Sequence, residues 1–203
     1  MHLHVKHSLF FLFLIILAIV LGLFLIRTPI PATHSTPENL TNIYENTVNG
    51  YSVHYPDGYT PNSRYVYMEL GPGKFIEGVK FTIASSTILG TNLGGDSYVS
   101  VERIATTTLC TPSLFLEDQG REPQTITDGG IKYLAASSTG AGAGNRYEET
   151  IYVLPGTNPC TAVRYFIHYS VFENYPPGTV HEFNHSDIIN EFDAIRRTLL
   201  VAH

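Results

Sequence analysis

The sequence predicts an α+β domain, an antiparallel β-sheet with packed helices including a C-terminal helix, preceded by one N-terminal transmembrane helix. From Asn42 onwards, apolar and polar residues alternate in short segments, which is the pattern of half-buried strands. Gly and Pro separate these segments, and no helical pattern of crossover length lies between them. Neighbouring strands are therefore expected to pair antiparallel. Near the C-terminus the period changes to that of an amphipathic helix.

The first predicted element is the apolar run from Leu9 to Ile26, which has 18 residues and no charge or proline. A helix needs about 20 apolar residues, with a range of about 17–25, to cross a bilayer. A cleaved signal peptide is the alternative, but its apolar core has about 7–15 residues and precedes a small-residue cleavage site. The residues after Arg27 contain no such site. We therefore predict a signal anchor at 9–26 behind a tail at 1–8, with the lipid bilayer as its partner.

The short tail before the anchor favours a cytoplasmic N-terminus, although Lys6 and Arg27 give only a slight charge bias. The expected location is the cell membrane, with a single span and the C-terminal domain outside the cytoplasm. Residues 27–41 are rich in Pro, Thr and Ser and predict an extended linker. The extracytoplasmic domain then occupies residues 42–203.

The predicted strands of this domain alternate in polarity or are rich in β-branched and aromatic residues, with turn residues between most of them. They are Tyr51–Tyr55, Tyr65–Leu70, Val79–Ile83, Tyr98–Ile104, Ile131–Ala135, Arg146–Leu154 and Ala162–Phe172. The Gly-rich stretch at 140–144 is followed by a strand and not a helix, so it predicts a flexible hairpin connection and not a phosphate-binding loop.

The closing helix is predicted between Ser186 and Val201, where apolar residues recur at three- and four-residue steps. Asn184 or Ser186 can cap its N-terminus, since both side chains can accept a hydrogen bond from a free backbone N–H. The apolar side of this helix should lie on the sheet.

Cys110 and Cys160 are the only cysteines, and both belong to the portion predicted to be exported. An even number of cysteines in an oxidising compartment predicts a disulfide. Two buried thiols are the alternative in a reducing compartment. A metal site is less favoured, because neither residue belongs to a C-x-x-C pair.

Three motifs make the chain from about Tyr44 to Val201 resemble small exported bacterial domains with a PsbP/Mog1-like fold. They are Gly50-Tyr51-x-Val53-x-Tyr55-Pro56 near the start, Gly144-Asn-x-Tyr-Glu148 before a strand, and Phe192-Asp-x-Ile195-x-x-Thr198-Leu at the end. The family tends to have Phe where this chain has Leu199. The resemblance implies an antiparallel sheet with packed helices, and it brings no catalytic residue or cofactor.

Charge excludes one class of partner. The chain has 12 Lys and Arg against 18 Asp and Glu, a formal charge of −6. Residues 1–27 hold two of these bases and none of the acids, so the remainder is still more acidic. Nucleic acid is therefore not an expected partner.

The sharpest enzymatic motif is His181-Glu182-Phe183-Asn184-His185, a literal H-E-x-x-H. On a continuous helix, His181 and His185 would bind zinc and Glu182 would act as general base. Pro176-Pro177-Gly178 lies just upstream and a helix start follows Asn184, so the motif is expected to straddle a loop and a cap. Only 18 residues follow His185 to supply a third ligand.

The 13 Tyr residues all follow residue 43 and could form a binding platform, but alternation within strands favours a packing role. We therefore predict a non-catalytic, membrane-anchored binding or accessory domain without a cofactor, whose partner is an unknown envelope protein or small ligand. The alternatives are a small zinc-dependent hydrolase that uses His181, Glu182 and His185, and a purely structural envelope component.

Overall fold

The computed structural model describes residues 40–105, 109–117 and 122–202, which belong to one structural unit. The predicted anchor at 9–26 and nearly all of the predicted linker at 27–41 lie outside the described residues. Within these ranges, no helix has the length and apolar character that crossing a membrane requires.

Two antiparallel sheets form from the described residues. Their strands are β1 (Asn42–Asn46), β2 (Tyr51–Tyr55), β3 (Thr60–Tyr67), β4 (Ile76–Thr82), β5 (Tyr98–Ile104), β6 (Gln124–Asp128), β7 (Ile131–Gly142), β8 (Asn145–Leu154), β9 (Cys160–Ser170) and β10 (Leu200–Val201). The large sheet has seven strands in the order β3-β4-β5-β9-β8-β7-β6, and the small one has the order β1-β2-β10. Every pair of neighbouring strands in both sheets is antiparallel, which confirms the predicted sheet type.

Two α-helices accompany the sheets within the described residues: the single turn α1 (Ser85–Ile88) and the longer α2 (His185–Arg197). The Asn184 side chain accepts hydrogen bonds from the backbone N–H groups of Ser186 and Asp187, so it is the N-cap of α2. The predicted C-terminal helix is thus confirmed, together with one of its two predicted caps.

The prediction that this helix runs to Val201 is wrong. The Thr198 hydroxyl donates to the Ile195 carbonyl at 2.7 Å and accepts from the His54 N–H at 2.8 Å, so Thr198 joins the helix end to β2. Leu200 and Val201 then pair with Ser52 and Tyr51 as β10. Apolar residues continue past the helix because they enter a strand, and periodicity alone does not distinguish the two cases.

The Gly-rich stretch at 140–144 lies at a β-hairpin, as predicted, but most of it belongs to a strand. Gly140 and Gly142 belong to β7, and Gly142 pairs directly with Asn145 of β8. Only Ala143 and Gly144 form the turn, with φ of 48° and 79°. Two consecutive residues with positive φ give the two-residue hairpin whose twist matches that of the flanking strands.

Apolar side chains cover both faces of the large sheet. On one face, Phe192 and Ile195 of α2 and Val53 of β2 pack with Val163 and Tyr165 of β9. The rings of Tyr165 and Phe192 lie 5.3 Å apart, so α2 lies on the sheet as predicted.

The opposite face has a second core, which the segment 109–117 covers in part. Phe115 and Leu116 of this segment are buried against Ile151 and Ala162 of the sheet. The predicted Cys110–Cys160 disulfide is confirmed and ties the segment to the start of β9. This second face carries the candidate site.

Candidate functional site

A cleft opens on the sheet face opposite α2, with a volume of about 460 Å³. We call it the tyrosine cleft. Its lining comes from β3 and the loop after it, from β4 and β5, and from β8 and β9: Tyr65, Val66, Tyr67, Met68, Glu69, Lys80, Asp96, Tyr98, Tyr147, Glu149 and Phe166. Strand register brings these distant residues together, because Phe166 of β9 lies directly opposite both Tyr98 of β5 and Glu149 of β8. Residues directly opposite in an antiparallel pair share one face.

The aromatic rings of this face are stacked against one another in a row. Tyr98 and Phe166 have centroids 5.0 Å apart with an interplanar angle of 23°. Tyr147 is 6.2 Å from Phe166 on one side and 4.7 Å from the His168 ring on the other. Because Phe166 stacks on Tyr98 and His168 stacks on Tyr147, the row offers edges and hydroxyl groups rather than a broad flat stacking surface.

A buried ion cluster lies beneath the cleft. The Arg164 guanidinium donates to both carboxylate oxygens of Glu102, from Nε at 2.7 Å and from Nη2 at 2.9 Å. Its Nη2 also donates to the Phe115 carbonyl at 2.9 Å, and its Nη1 donates to Glu149. The side chains of Arg164 and Glu102 have no exposed surface, whereas that of Glu149 is 16% exposed. The cluster therefore has two carboxylates for one guanidinium, and Glu149 faces the cleft.

Tyrosines close this cluster from above. The Tyr67 ring lies over the Arg164 guanidinium, 3.5 Å from its carbon, and the Tyr67 hydroxyl donates to both oxygens of Glu149 at 3.1 Å. The hydroxyl of Tyr65 donates to Glu102 at 3.2 Å and lies 2.8 Å from that of Tyr98. A ligand in the cleft thus meets phenols and carboxylates and does not reach the guanidinium.

Burial fixes the protonation of these groups. Desolvation raises the pKa of Tyr67 and Tyr98, and desolvation together with the nearby Glu102 raises that of Tyr65, so the three phenols stay neutral. Burial by itself would lower the pKa of Arg164, but Glu102 and Glu149 outweigh it and raise this pKa, so the guanidinium stays charged.

The rim of the cleft carries three carboxylates, from Glu69, Asp96 and Glu149, and one amine, from Lys80. Asp96 lies 2.6 Å from Nδ1 of His168. The Lys80 ammonium lies 5.1 Å from the ring centroid of Tyr98 and 5.5 Å from that of Tyr65, within the range of cation–π attraction. The cleft itself is therefore acidic, and its own lysine occupies the aromatic wall.

The residues of the H-E-x-x-H motif lie outside the cleft. His181 forms a bridge with the loop before β5, where its N–H donates to the Gly90 carbonyl at 3.0 Å. His185 is the first residue of α2, and its Nε2 lies 2.8 Å from a carboxylate oxygen of Glu148. His181 and His185 thus do not share a helix face, which agrees with the expected straddling of loop and cap. Across the described ranges, no three His, Cys, Asp or Glu side chains are grouped so that they could hold a metal ion.

The sequence did not indicate the cleft. Alternation of the tyrosines within strands predicts a packing role, which is correct for their rings but leaves out their hydroxyl groups. One signal was present: Arg164 lies in the middle of an apolar strand segment, between Val163 and Tyr165. Charged residues in such positions are almost never buried unless they are paired, so they indicate an ion cluster in the sheet.

Comparison with known proteins finds solved structures of similar backbone, among them the following two. A crystal structure of a protein from Bacteroides thetaiotaomicron VPI-5482 matches with 11% identity and a TM-score of 0.46, over 81% of this chain and 49% of that one. The solution structure of cyanobacterial PsbP (CyanoP) from Synechocystis sp. PCC 6803 matches with 15% identity and a TM-score of 0.39, over 79% of this chain and 92% of that one. This chain thus spans about half the length of the Bacteroides protein. No family model and no curated protein matches the sequence.

Proposed function

We propose that the chain is a membrane-anchored, extracytoplasmic binding domain without catalysis of its own, and that the tyrosine cleft is its binding site. The observation that carries this proposal is the position of Glu149. Its carboxylate is fixed by Arg164 and by the Tyr67 hydroxyl, yet it faces an open cleft. Such a group is held in place before a ligand arrives, which lowers the entropic cost of binding.

The chemistry of the lining supports binding rather than catalysis. The residues around the cleft include no Ser, Thr or Cys that could act as a nucleophile beside a base. Burial raises the pKa of Tyr65, Tyr67 and Tyr98, so these three phenols stay neutral. The Arg164 side chain has no exposed surface, and it donates to Glu102, Glu149 and the Phe115 carbonyl. The groups that meet a ligand are therefore fixed acceptors and apolar walls.

The size of the cleft supports a small ligand. Small-molecule sites have volumes of about 300–1,000 Å³ and combine apolar walls with a few fixed polar groups. The tyrosine cleft, at about 460 Å³, lies within this range, and Phe166, Val66 and Met68 contribute its apolar surface. Of the two predicted kinds of partner, the geometry favours a small ligand over an envelope protein.

A thermal-shift experiment on the full-length chain in a non-ionic detergent tests the proposal. The probes are three chemical classes at equal ionic strength: alkylammonium compounds, carboxylates and neutral sugars. At least one class should raise the melting temperature of the wild type, and Tyr147→Ala should remove that increase. Tyr175→Ala, outside the cleft, is the matched control and should retain it.

Two outcomes would reject the cleft as the binding site. One is the absence of any shift with all three classes. The other is a shift of equal size in the wild type and in Tyr147→Ala, because binding would then occur elsewhere in the chain.

A further inference from the structure

We infer that the ligand of the tyrosine cleft is a linear alkyl diamine or polyamine, an inference that rests on the proposed function. The ligand class follows from charge, from the position of Lys80 and from the distribution of carboxylates around the cleft.

The charge of the site excludes an anionic ligand. The buried cluster contributes two carboxylates and one guanidinium, and this guanidinium is enclosed by Tyr67, Glu102 and the Phe115 carbonyl. The rim adds the carboxylates of Glu69 and Asp96, the latter 2.6 Å from Nδ1 of His168, against the single amine of Lys80. An anion entering the cleft would meet like charges and no free guanidinium, whereas a cation would meet acceptors.

Lys80 shows which kind of cation the walls accommodate. Its ammonium lies 5.1 Å and 5.5 Å from the ring centroids of Tyr98 and Tyr65. The Lys80 side chain is itself an alkylammonium, and the protein places it at the aromatic wall of the cleft. A free alkylamine offers the same chemistry: an ammonium that attracts carboxylates and aromatic groups, and methylene groups that pack on apolar walls.

The carboxylates come from three separate elements around the cleft. Glu69 lies in the loop after β3, Asp96 lies just before β5, and Glu149 lies in the middle of β8. These three carboxylates are not grouped around one point, since no three acidic side chains among the described residues could hold a single ion. A chain with two or more ammonium groups joined by methylenes can contact several of them while its body lies against Phe166.

The ring geometry argues against a neutral sugar. Sugars pack their C–H faces on exposed aromatic faces, but the row from Tyr98 through Phe166 to Tyr147 and His168 is stacked on itself. This row presents ring edges and hydroxyl groups to the cleft, and the hydroxyl oxygens can accept hydrogen bonds from an ammonium.

Isothermal titration calorimetry on the full-length chain in non-ionic detergent tests the inference. The probes are spermidine and 1,4-diaminobutane, with butylamine, 1,4-butanediol and calcium chloride as comparisons at constant ionic strength. Spermidine should bind most tightly, the diamine less tightly, butylamine weakly and the diol not at all. Glu69→Gln should weaken spermidine binding by about tenfold, as expected for one charge-assisted hydrogen bond. The exposed residue variant Glu45→Gln, in β1, is its matched control and should bind like the wild type.

A second variant tests whether the ligand is positively charged. Its expected effect is tighter binding, which misfolding of the variant could not produce. Lys80→Met removes the protein's own ammonium from the aromatic wall, so spermidine should bind about twofold to fivefold more tightly, the range expected for one partly exposed charge. Lys132→Met, exposed on β7, is the control and should leave the affinity unchanged. Weaker spermidine binding in Lys80→Met would overturn the inference.

The remaining outcomes separate the inference from the proposed function. If a carboxylate or a sugar binds and Tyr147→Ala abolishes its binding, the cleft is a binding site and the polyamine inference is wrong. If calcium binds more tightly than spermidine and Glu69→Gln removes it, the ligand is a metal ion and the inference is also wrong. If no probe of any class binds, both are rejected.

Discussion

The Cys110–Cys160 disulfide should provide a large part of the stability of the domain. The two cysteines are 50 residues apart in the sequence. In the chain-entropy model, closing a loop of that length removes about 14 cal/mol/K from the unfolded ensemble, or about 4 kcal/mol at 25 °C. Reducing the bond should therefore lower the free energy of unfolding by up to about 4 kcal/mol. For a domain of about 160 residues this corresponds to a decrease in melting temperature of about 8–16 °C.

The structure sets the conditions of the experiment. Cys160 has no exposed surface and packs in the second core, so a reductant in native buffer should react slowly. The chain should therefore be reduced in denaturant and refolded under reductant before the measurement. Its thiols should not be alkylated. Urea unfolding of the oxidised and reduced forms then compares chains of the same sequence, without the cavity that a Cys→Ala change would leave.

Two observables check the reasoning. The midpoint in urea should decrease, and the slope of the free energy with urea should increase, because the unfolded chain without the crosslink exposes more surface. Tyrosine signals of the folded state should be unchanged. If both forms unfold at the same urea concentration, the disulfide does not constrain the unfolded state and the entropic argument fails.

Three further predictions concern other regions. Full-length chain expressed in a bacterium should stay in the membrane fraction at its unprocessed mass, and a soluble product lacking about the first 30 residues would show instead that 9–26 is a cleaved signal peptide. Replacing both His181 and His185 by Ala should lower the melting temperature only slightly, since exposed ion pairs contribute about 0–1 kcal/mol. One zinc per wild-type chain in elemental analysis, absent from this variant, would instead favour the metallohydrolase. Asp128→Asn should destabilise the domain by about 1–3 kcal/mol near pH 7, as measured by urea unfolding.

The effect of Asp128 should depend on pH in a defined direction. Burial alone would raise the pKa of this carboxyl, but hydrogen bonds from Arg197 and Arg196 outweigh it and lower the pKa. The stabilisation is therefore fully present above the ordinary Asp pKa of about 3.9 and is lost as the pH falls through the lower value of the folded state. The difference between wild type and Asp128→Asn should shrink below about pH 4, and a difference that grew there would contradict this account.

The sequence predicted those features that depend on local pattern or on simple counting. Tyr51–Tyr55 and Tyr98–Ile104 are strands with the predicted bounds, because clear alternation and flanking turn residues coincide there. The disulfide was predictable because two cysteines allow only one pairing. By contrast, β1 (Asn42–Asn46) and β6 (Gln124–Asp128) were not predicted, since polar residues dominate these short strands near or at the sheet edges.

The cleft could not be predicted because it depends on register. Glu149 lies opposite Phe166, and Phe166 lies opposite Tyr98, so one row of the site is assembled from positions separated by up to 68 residues. A shift of one residue in either pairing would turn this row to the other face of the sheet. Tertiary pairing also determines where α2 ends, because Leu200 lies beyond the helix and pairs with β2.

The stacked row of rings gives the domain an optical property that bears on its study. The chain contains 13 Tyr and no Trp, so tyrosine emission is not masked by energy transfer to an indole. Tyr98 and Tyr147 flank Phe166 in the cleft wall, and the Tyr67 hydroxyl is hydrogen-bonded to a carboxylate, an arrangement that quenches phenol fluorescence. A ligand that displaced the Tyr67 hydroxyl from Glu149 would therefore change the tyrosine emission. Ultraviolet fluorescence of the unlabelled protein can thus test whether the cleft is occupied.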